Sequence, residues 1–91
     1  MHLQEITEGP FRIYVGALES PIGDGYTAAL VVRPARAPAQ DRDTFADDRL
    51  ACGHRWATAD DAMSYALRKG RQVVRDAQRQ SAPAAAQAQH G

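Results

Sequence analysis

A single amphipathic segment constrains this chain more than any other feature. After Thr58, apolar residues recur at Ala62, Met63, Ala66, Leu67, Val73, Val74 and Ala77. At the helical angle these fall in a stripe about 140° wide, the signature of a one-sided helix. Thr58 is a good N-cap, and Asp61 three residues later gives a capping box with Asp in the usual place of Glu. Asp60 and Asp61 suit the positive N-terminal end of the helix dipole, and Arg75 and Arg79 the negative end. Gly70 lies in the middle of the stripe, where it costs about 1 kcal/mol relative to Ala. Close approach of the helix to another layer is the expected return. The helix is predicted to fray near Gln80. Residues 81–91 (SAPAAAQAQHG) have no large apolar group and are expected to form a disordered tail.

A one-sided helix must bury its stripe against a second layer. That layer is legible upstream, where hydrophobic spacing changes to a period of two. Phe11, Ile13, Val15 and Ala17 alternate with Arg12, Tyr14 and Gly16, which predicts a strand. Ser20-Pro21-Ile22-Gly23-Asp24-Gly25 supplies turn chemistry, and a second strand is predicted over 26–33. Pro34 stops it. Residues 34–48 read as a long acidic loop pinned by Phe45. A third strand is predicted over 49–57, with Gly53 marking a bulge. The expectation is an α+β domain: a three-stranded antiparallel β-meander with one C-terminal helix packed on one face. Its helix-facing set would be Phe11, Ile13, Val15, Ala28, Leu30, Val32, Leu50, Cys52 and Trp56. Residues 1–10 read as a flexible leader and 11–80 as the single domain.

Size limits what such a domain can do. Eighteen of the apolar residues are alanine, which leaves 22 larger apolar side chains among 91 residues. That is a core for one small domain. It argues against a multidomain enzyme and against a wholly disordered chain. The longest apolar run, Ala28-Ala29-Leu30-Val31-Val32, is far short of the roughly 20 residues that span a bilayer. The start, Met1-His2-Leu3-Gln4-Glu5, has neither a basic nor an apolar export region. The lone Cys52 has no partner for an internal disulfide. The expected setting is cytoplasmic, with no membrane contact.

Catalytic chemistry finds little support in these residues. Cys52 and His54 would share a face of the third strand. A metal site needs three or four ligands, however, and the other histidines, His2 and His90, lie near the two ends. Two side chains at that spacing stand roughly 6–7 Å apart, beyond direct hydrogen-bond reach for a Cys–His pair. Asp41, Asp43, Asp47 and Asp48 do not form a calcium loop, because Ala46 and Cys52 stand where Gly and Glu are required. Phosphate-loop, dinucleotide-binding and nucleophile-elbow patterns are absent from the sequence. No enzyme activity and no cofactor are expected.

Charge points instead to surfaces. Eleven basic residues balance eleven acidic ones, yet the segment after Asp61 is net positive and the rest net negative. Arg68, Arg71, Arg75 and Arg79 form a stripe within about 80°, opposite the apolar one. It is either an ordinary solvated face or a binding stripe for phosphate or an acidic partner. On the sheet side away from the helix, Arg12, Tyr14, Arg33, Arg49 and Arg55 would surround small residues such as Ala29 and Val31. Plain exposure, self-association and RNA contact are all open for that face. The leading expectation is a non-catalytic protein-interaction domain that binds an unknown protein or itself through its open sheet face or an edge strand.

The segment Trp56-Ala57-Thr58-Ala59-Asp60-Asp61-Ala62, with Ala66 and then Gly70-Arg71-Gln72-Val73, resembles small bacterial domains of unknown function. In those domains a three-strand meander ends in an aromatic residue before the helix. It is also similar to the HicB-like antitoxin domain, with Asp24-Gly25-Tyr26 in the hairpin and Thr58-x-Asp60-Asp61-Ala62 opening the helix. The resemblance covers about residues 11–76 and implies a β-β-β-α fold. For the HicB-like case it also implies toxin neutralisation and operator binding. The residues before the helix do not carry the proline-glycine segment that usually precedes the HicB-like helix, and no appended DNA-binding domain is expected.

Overall fold

The computed structural model describes residues 2–36 and 43–90, with side chains described up to Arg79. Four strands precede the helix: β1 (His2–Glu8), β2 (Phe11–Glu19), β3 (Tyr26–Pro34) and β4 (Phe45–Asp47). They form one antiparallel sheet in the order β1-β2-β3-β4. A short segment α1 (Leu50–Gly53) and the long helix α2 (Ala59–His90) follow. The α+β class and the C-terminal helix are as expected. The sheet has four strands rather than three.

The additional strand is the segment read as a leader. Residues 2–8 pair along their whole length with β2, from His2 opposite Ala17 to Glu8 opposite Phe11. Gly9-Pro10 joins them in a two-residue turn, with Gly9 at φ 58°, the positive φ such a turn needs at its first position. The alternation in β1 is faint because Leu3 and Ile6 fall on opposite faces.

The predicted third strand over 49–57 is the larger correction. Only Trp56 joins the sheet from that stretch, through an isolated bridge to Tyr26. The strand beside β3 is instead Phe45–Asp47, inside the region read as loop, with Phe45 opposite Val32 and Asp47 opposite Leu30. Residues 37–42 of that loop lie outside the described residues. The backbone of α2 runs on to His90, through most of the stretch read as a tail, and the side chains from residue 80 onward lie outside the description.

The core lies between α2 and one sheet face. Ile13, Val15, Ala17, Ala28, Leu30 and Val32 are buried there against Ala62, Ala66 and Val74, and Leu50 closes one end. Phe11 and Trp56 pack at the margin, half-buried, whereas Cys52, expected in the core, is exposed. The reason is the backbone of α1: Ala51 (φ 55°, ψ 39°) and Cys52 (φ 58°, ψ 33°) are left-handed. A strand register that would turn Cys52 inward does not exist. Left-handed geometry costs an L-residue roughly 1–2 kcal/mol. The turn is held from both sides, by buried Leu50 and by the Tyr26–Trp56 bridge. Ala51→Gly is therefore expected to raise stability by about 0.5–1 kcal/mol, since glycine adopts this conformation without the Cβ penalty. Urea denaturation with an unchanged slope checks it.

Candidate functional site

The faces of the sheet follow from its register. Because Ile13 and Val32 point to the helix, residues of the opposite parity form the open face. Besides the Leu18–Thr27 pair at one end, three rows cross it: Leu3–Gly16–Ala29, Glu5–Tyr14–Val31–Ala46 and Thr7–Arg12–Arg33. No described element covers these rows, and α2 packs on the other side. Leu3 is 73% exposed. Its Cδ2 stands 3.0 Å from where a Cβ on Gly16 would lie, so Leu3 rests over the glycine. The centre of the face is thus small and apolar, with Tyr14, Ala29 and Val31 half-buried.

Of the five residues expected on this surface, the structure brings together Arg12, Tyr14 and Arg33. Arg12 lies opposite Arg33 across the β2–β3 ladder. Each is matched by a carboxylate: Arg12 stands 3.5 Å from Glu5, and Arg33 3.8 Å from Asp43. Arg49 and Arg55 are not in these rows, because the stretch that carries them is not a strand, and stand instead beside the Leu18–Thr27 end of the sheet. Both line a cleft of about 440 Å³ beside the 20–25 turn, together with Leu18, Thr27 and Cys52. Glu19 and Asp48 share that lining, so the cleft carries both signs of charge.

Arg55 has a structural role in that cleft. Its Nη1 donates to both carboxylate oxygens of Asp24, the longer bond being 2.6 Å, and to Ser20 Oγ at 3.2 Å. Ser20 is the buried polar residue of the turn, and its backbone N–H donates to the Gly25 carbonyl at 2.8 Å. Hydrogen bonding to the Ser20 side chain holds the Asp24 carboxyl below its ordinary value of 3.8; desolvation opposes the shift, and the Arg55 charge adds to it. The lowered value means that folding favours the ionised form. Any stability Asp24 contributes is present above the ordinary value and is lost as pH falls through the folded one. Asp24→Asn and the parent chain are accordingly expected to differ at pH 6 and to converge in strong acid. An NMR titration of the Asp24 carboxyl should show a midpoint under 3.8.

On α2, Arg68, Arg71, Arg75 and Arg79 are all exposed. Most are engaged at home. Arg71 pairs with Glu8 at 3.6 Å, Arg79 with Asp76 at 3.1 Å, and Arg75 donates to the Gln72 side chain. Arg68 alone of the four has no ion-pair or hydrogen-bond partner among the described residues.

The expected Cys52–His54 proximity on one strand face does not arise. Cys52 sits in the left-handed turn, and His54 packs edge-on against Trp56 at 4.6 Å between ring centroids. Among the described residues no group of three His, Cys, Asp or Glu is placed to hold a metal ion. No described helix is long and apolar enough to cross a membrane.

Sequence reasoning missed Leu3 and Ala46 as members of the open face. The only signal for Leu3 was Gly9-Pro10, which reads equally as the end of a leader. Ala46 carried none, since a three-residue strand is too short for periodicity. In comparisons with known proteins, the chain matches no family model, no curated protein and no solved structure.

Proposed function

We propose that this chain is a non-catalytic protein-interaction domain that works through the open face of its sheet. The observation that carries the reading is the one-sided packing. One helix covers one face of a four-stranded sheet, and among the described residues the other face leaves Leu3, Tyr14, Ala29, Val31 and Ala46 without a covering layer. A sheet face of this kind buries apolar area only when a second molecule supplies the missing layer. Glu5, Arg12, Arg33 and Asp43 border it with both signs of charge, which suits a polar rim around an apolar centre.

The same balance weighs against RNA. Tyr14 beside Arg12 and Arg33 offers stacking and cationic groups, but the two guanidiniums already have carboxylate neighbours. Phosphates approaching them would meet Glu5 and Asp43.

Val31→Lys and Tyr14→Lys place a charge at the centre of the face without touching the core. The reading expects the parent chain to associate, with itself or with a retained protein, and expects both variants to lose that association while keeping the parent's thermal transition. A parent chain that stays monomeric and retains the same proteins as the variants would sink it.

A further inference from the structure

The backbone hydrogen bonds of the sheet identify a second, distinct contact element. Tyr26 exchanges both of its backbone bonds with Trp56, and Thr44 N–H donates to the Val32 carbonyl, each at 2.8 Å. The backbone groups of Tyr26 and Val32 therefore face the β4 side of β3. Antiparallel ladders alternate, so Thr27, Ala29, Val31 and Arg33 bond toward β2. Their partners there are Leu18, Gly16, Tyr14 and Arg12. Phe11, Ile13, Val15 and Ala17 are left to bond with β1, opposite Glu8, Ile6, Gln4 and His2. It follows that the N–H and C=O groups of Leu3, Glu5 and Thr7 point outward from β1, which is the terminal strand of the sheet. That is a ladder of six backbone groups with no strand beside it among the described residues.

Edge strands of native proteins are commonly blunted by proline, lysine, a bulge or extreme shortness. β1 has none of these: it runs seven residues in unbroken register. Among its three outward-bonding residues, only Glu5 carries a charge.

We propose that β1 pairs antiparallel with β1 of a second copy of this chain, across a two-fold axis at Glu5, to give a continuous eight-stranded sheet. The inference rests on reading the chain as an interaction domain and names a partner for its edge rather than its face. Residues opposite each other must lie on the same sheet face, which requires like parity in the pairing. The register centred on Glu5 meets that condition. It sets Leu3 against Thr7 of the second copy and uses all six outward groups of each strand. On the helix side it sets His2 against Glu8 of the second copy at both ends, a complementary pair in each case. The two Glu5 side chains meet at the axis, each with Arg12 of its own chain 3.5 Å away. Like charges directly opposite weaken the pairing, so the dimer is expected to be reversible.

Sedimentation of the full chain over a concentration series up to about 1 mM tests this, beside Glu5→Pro and Glu5→Gln. Proline at an edge position removes an outward N–H and leaves the inner ladder intact. The expected results are a parent chain that doubles in mass with concentration, a Glu5→Pro chain that stays monomeric with the parent's circular dichroism, and a Glu5→Gln chain that dimerises at least as tightly. Should Glu5→Pro fail to fold, amide exchange of the parent decides. Leu3, Glu5 and Thr7 are expected to gain at least tenfold protection between dilute and concentrated samples. A parent monomeric throughout, a dimer unaffected by Glu5→Pro, or a dimer in which those three amides stay unprotected each overturns the proposal. The open-face reading survives any of these if Val31→Lys still abolishes an association that Glu5→Pro leaves intact.

Discussion

Replacing Gly25 with alanine is expected to cost about 3–5 kcal/mol, from backbone strain and two lost hydrogen bonds together. Gly25 sits at φ 121°, a conformation L-residues rarely adopt. A Cβ there would stand 2.6 Å from the Trp56 carbonyl oxygen and 3.3 Å from the Arg55 Cβ. The first contact is with backbone, which no rotamer change relieves. The segment carrying Trp56 must retreat, and the two 2.8 Å bonds between Tyr26 and Trp56 go with it. That bridge positions the entry to α2, and the loss also frees Arg55 from Ser20 and Asp24. A domain of this size typically has about 5–15 kcal/mol in all, so the variant is expected to melt at least about 12 °C lower, at about 4–8 °C per kcal/mol. Thermal unfolding followed at Trp56 measures it. A change under about 1 kcal/mol would show that the 55–58 segment moves freely and that the bridge is not a structural anchor.

The second large effect is expected where α2 meets the sheet. At Gly70 a Cβ would lie 2.7 Å from Ile13 Cγ2 and 3.0 Å from Leu30 Cδ1. Ile13 is 0% exposed and Leu30 1%, so neither has room to retreat. Gly70→Ala gains about 1 kcal/mol of helix propensity but overpacks the interface, which costs roughly 1–3 kcal/mol. A net loss is expected. Ile13→Ala alone opens a cavity and is expected to cost about 2–5 kcal/mol. Combined, the added methyl occupies space that the truncation vacates. The double variant is therefore expected to lose at least about 1 kcal/mol less than the two single losses added. Strict additivity in a denaturant cycle would show that α2 does not approach the sheet at this point. Gly70→Val, with branches on the Cβ, has no such accommodation and is expected to unfold the chain.

The interaction readings depend on different parts of the same sheet. Val31 and Tyr14 report on the face, and Glu5 on the edge, so the two sets of variants separate the surfaces. The Arg12–Glu5 and Arg33–Asp43 pairs are exposed or half-exposed and contribute little to stability. Their effect is to balance the charge around the open face.

What the amino-acid sequence determined by itself was whatever rests on local periodicity. The 3.6-residue spacing from Ala62 to Ala77 sets the buried face of α2, and the Thr58 hydroxyl caps it as expected, accepting from the Asp61 N–H at 3.1 Å. The period-two runs of β2 and β3 gave the correct core side chains, because alternation alone assigns faces once a helix must cover one of them. Gly70 was legible for the same reason, as a glycine in the middle of an apolar stripe. Tertiary structure alone decided the rest. Residues 2–8 become a strand because the free edge of β2 offers a ladder, although their own pattern is nearly featureless. Residues 49–57 alternate as a strand would, yet they do not form one. Phe45–Asp47 takes the place beside β3, the Gly25–Trp56 contact fixes the end of the segment, and the short span between is closed by a left-handed turn at Ala51 and Cys52. That one rearrangement took Arg49 and Arg55 out of the strand rows and into the cleft beside Leu18 and Thr27. Periodicity records which side chains prefer burial, but which backbone groups pair across a sheet is a competition among distant segments that no local pattern encodes.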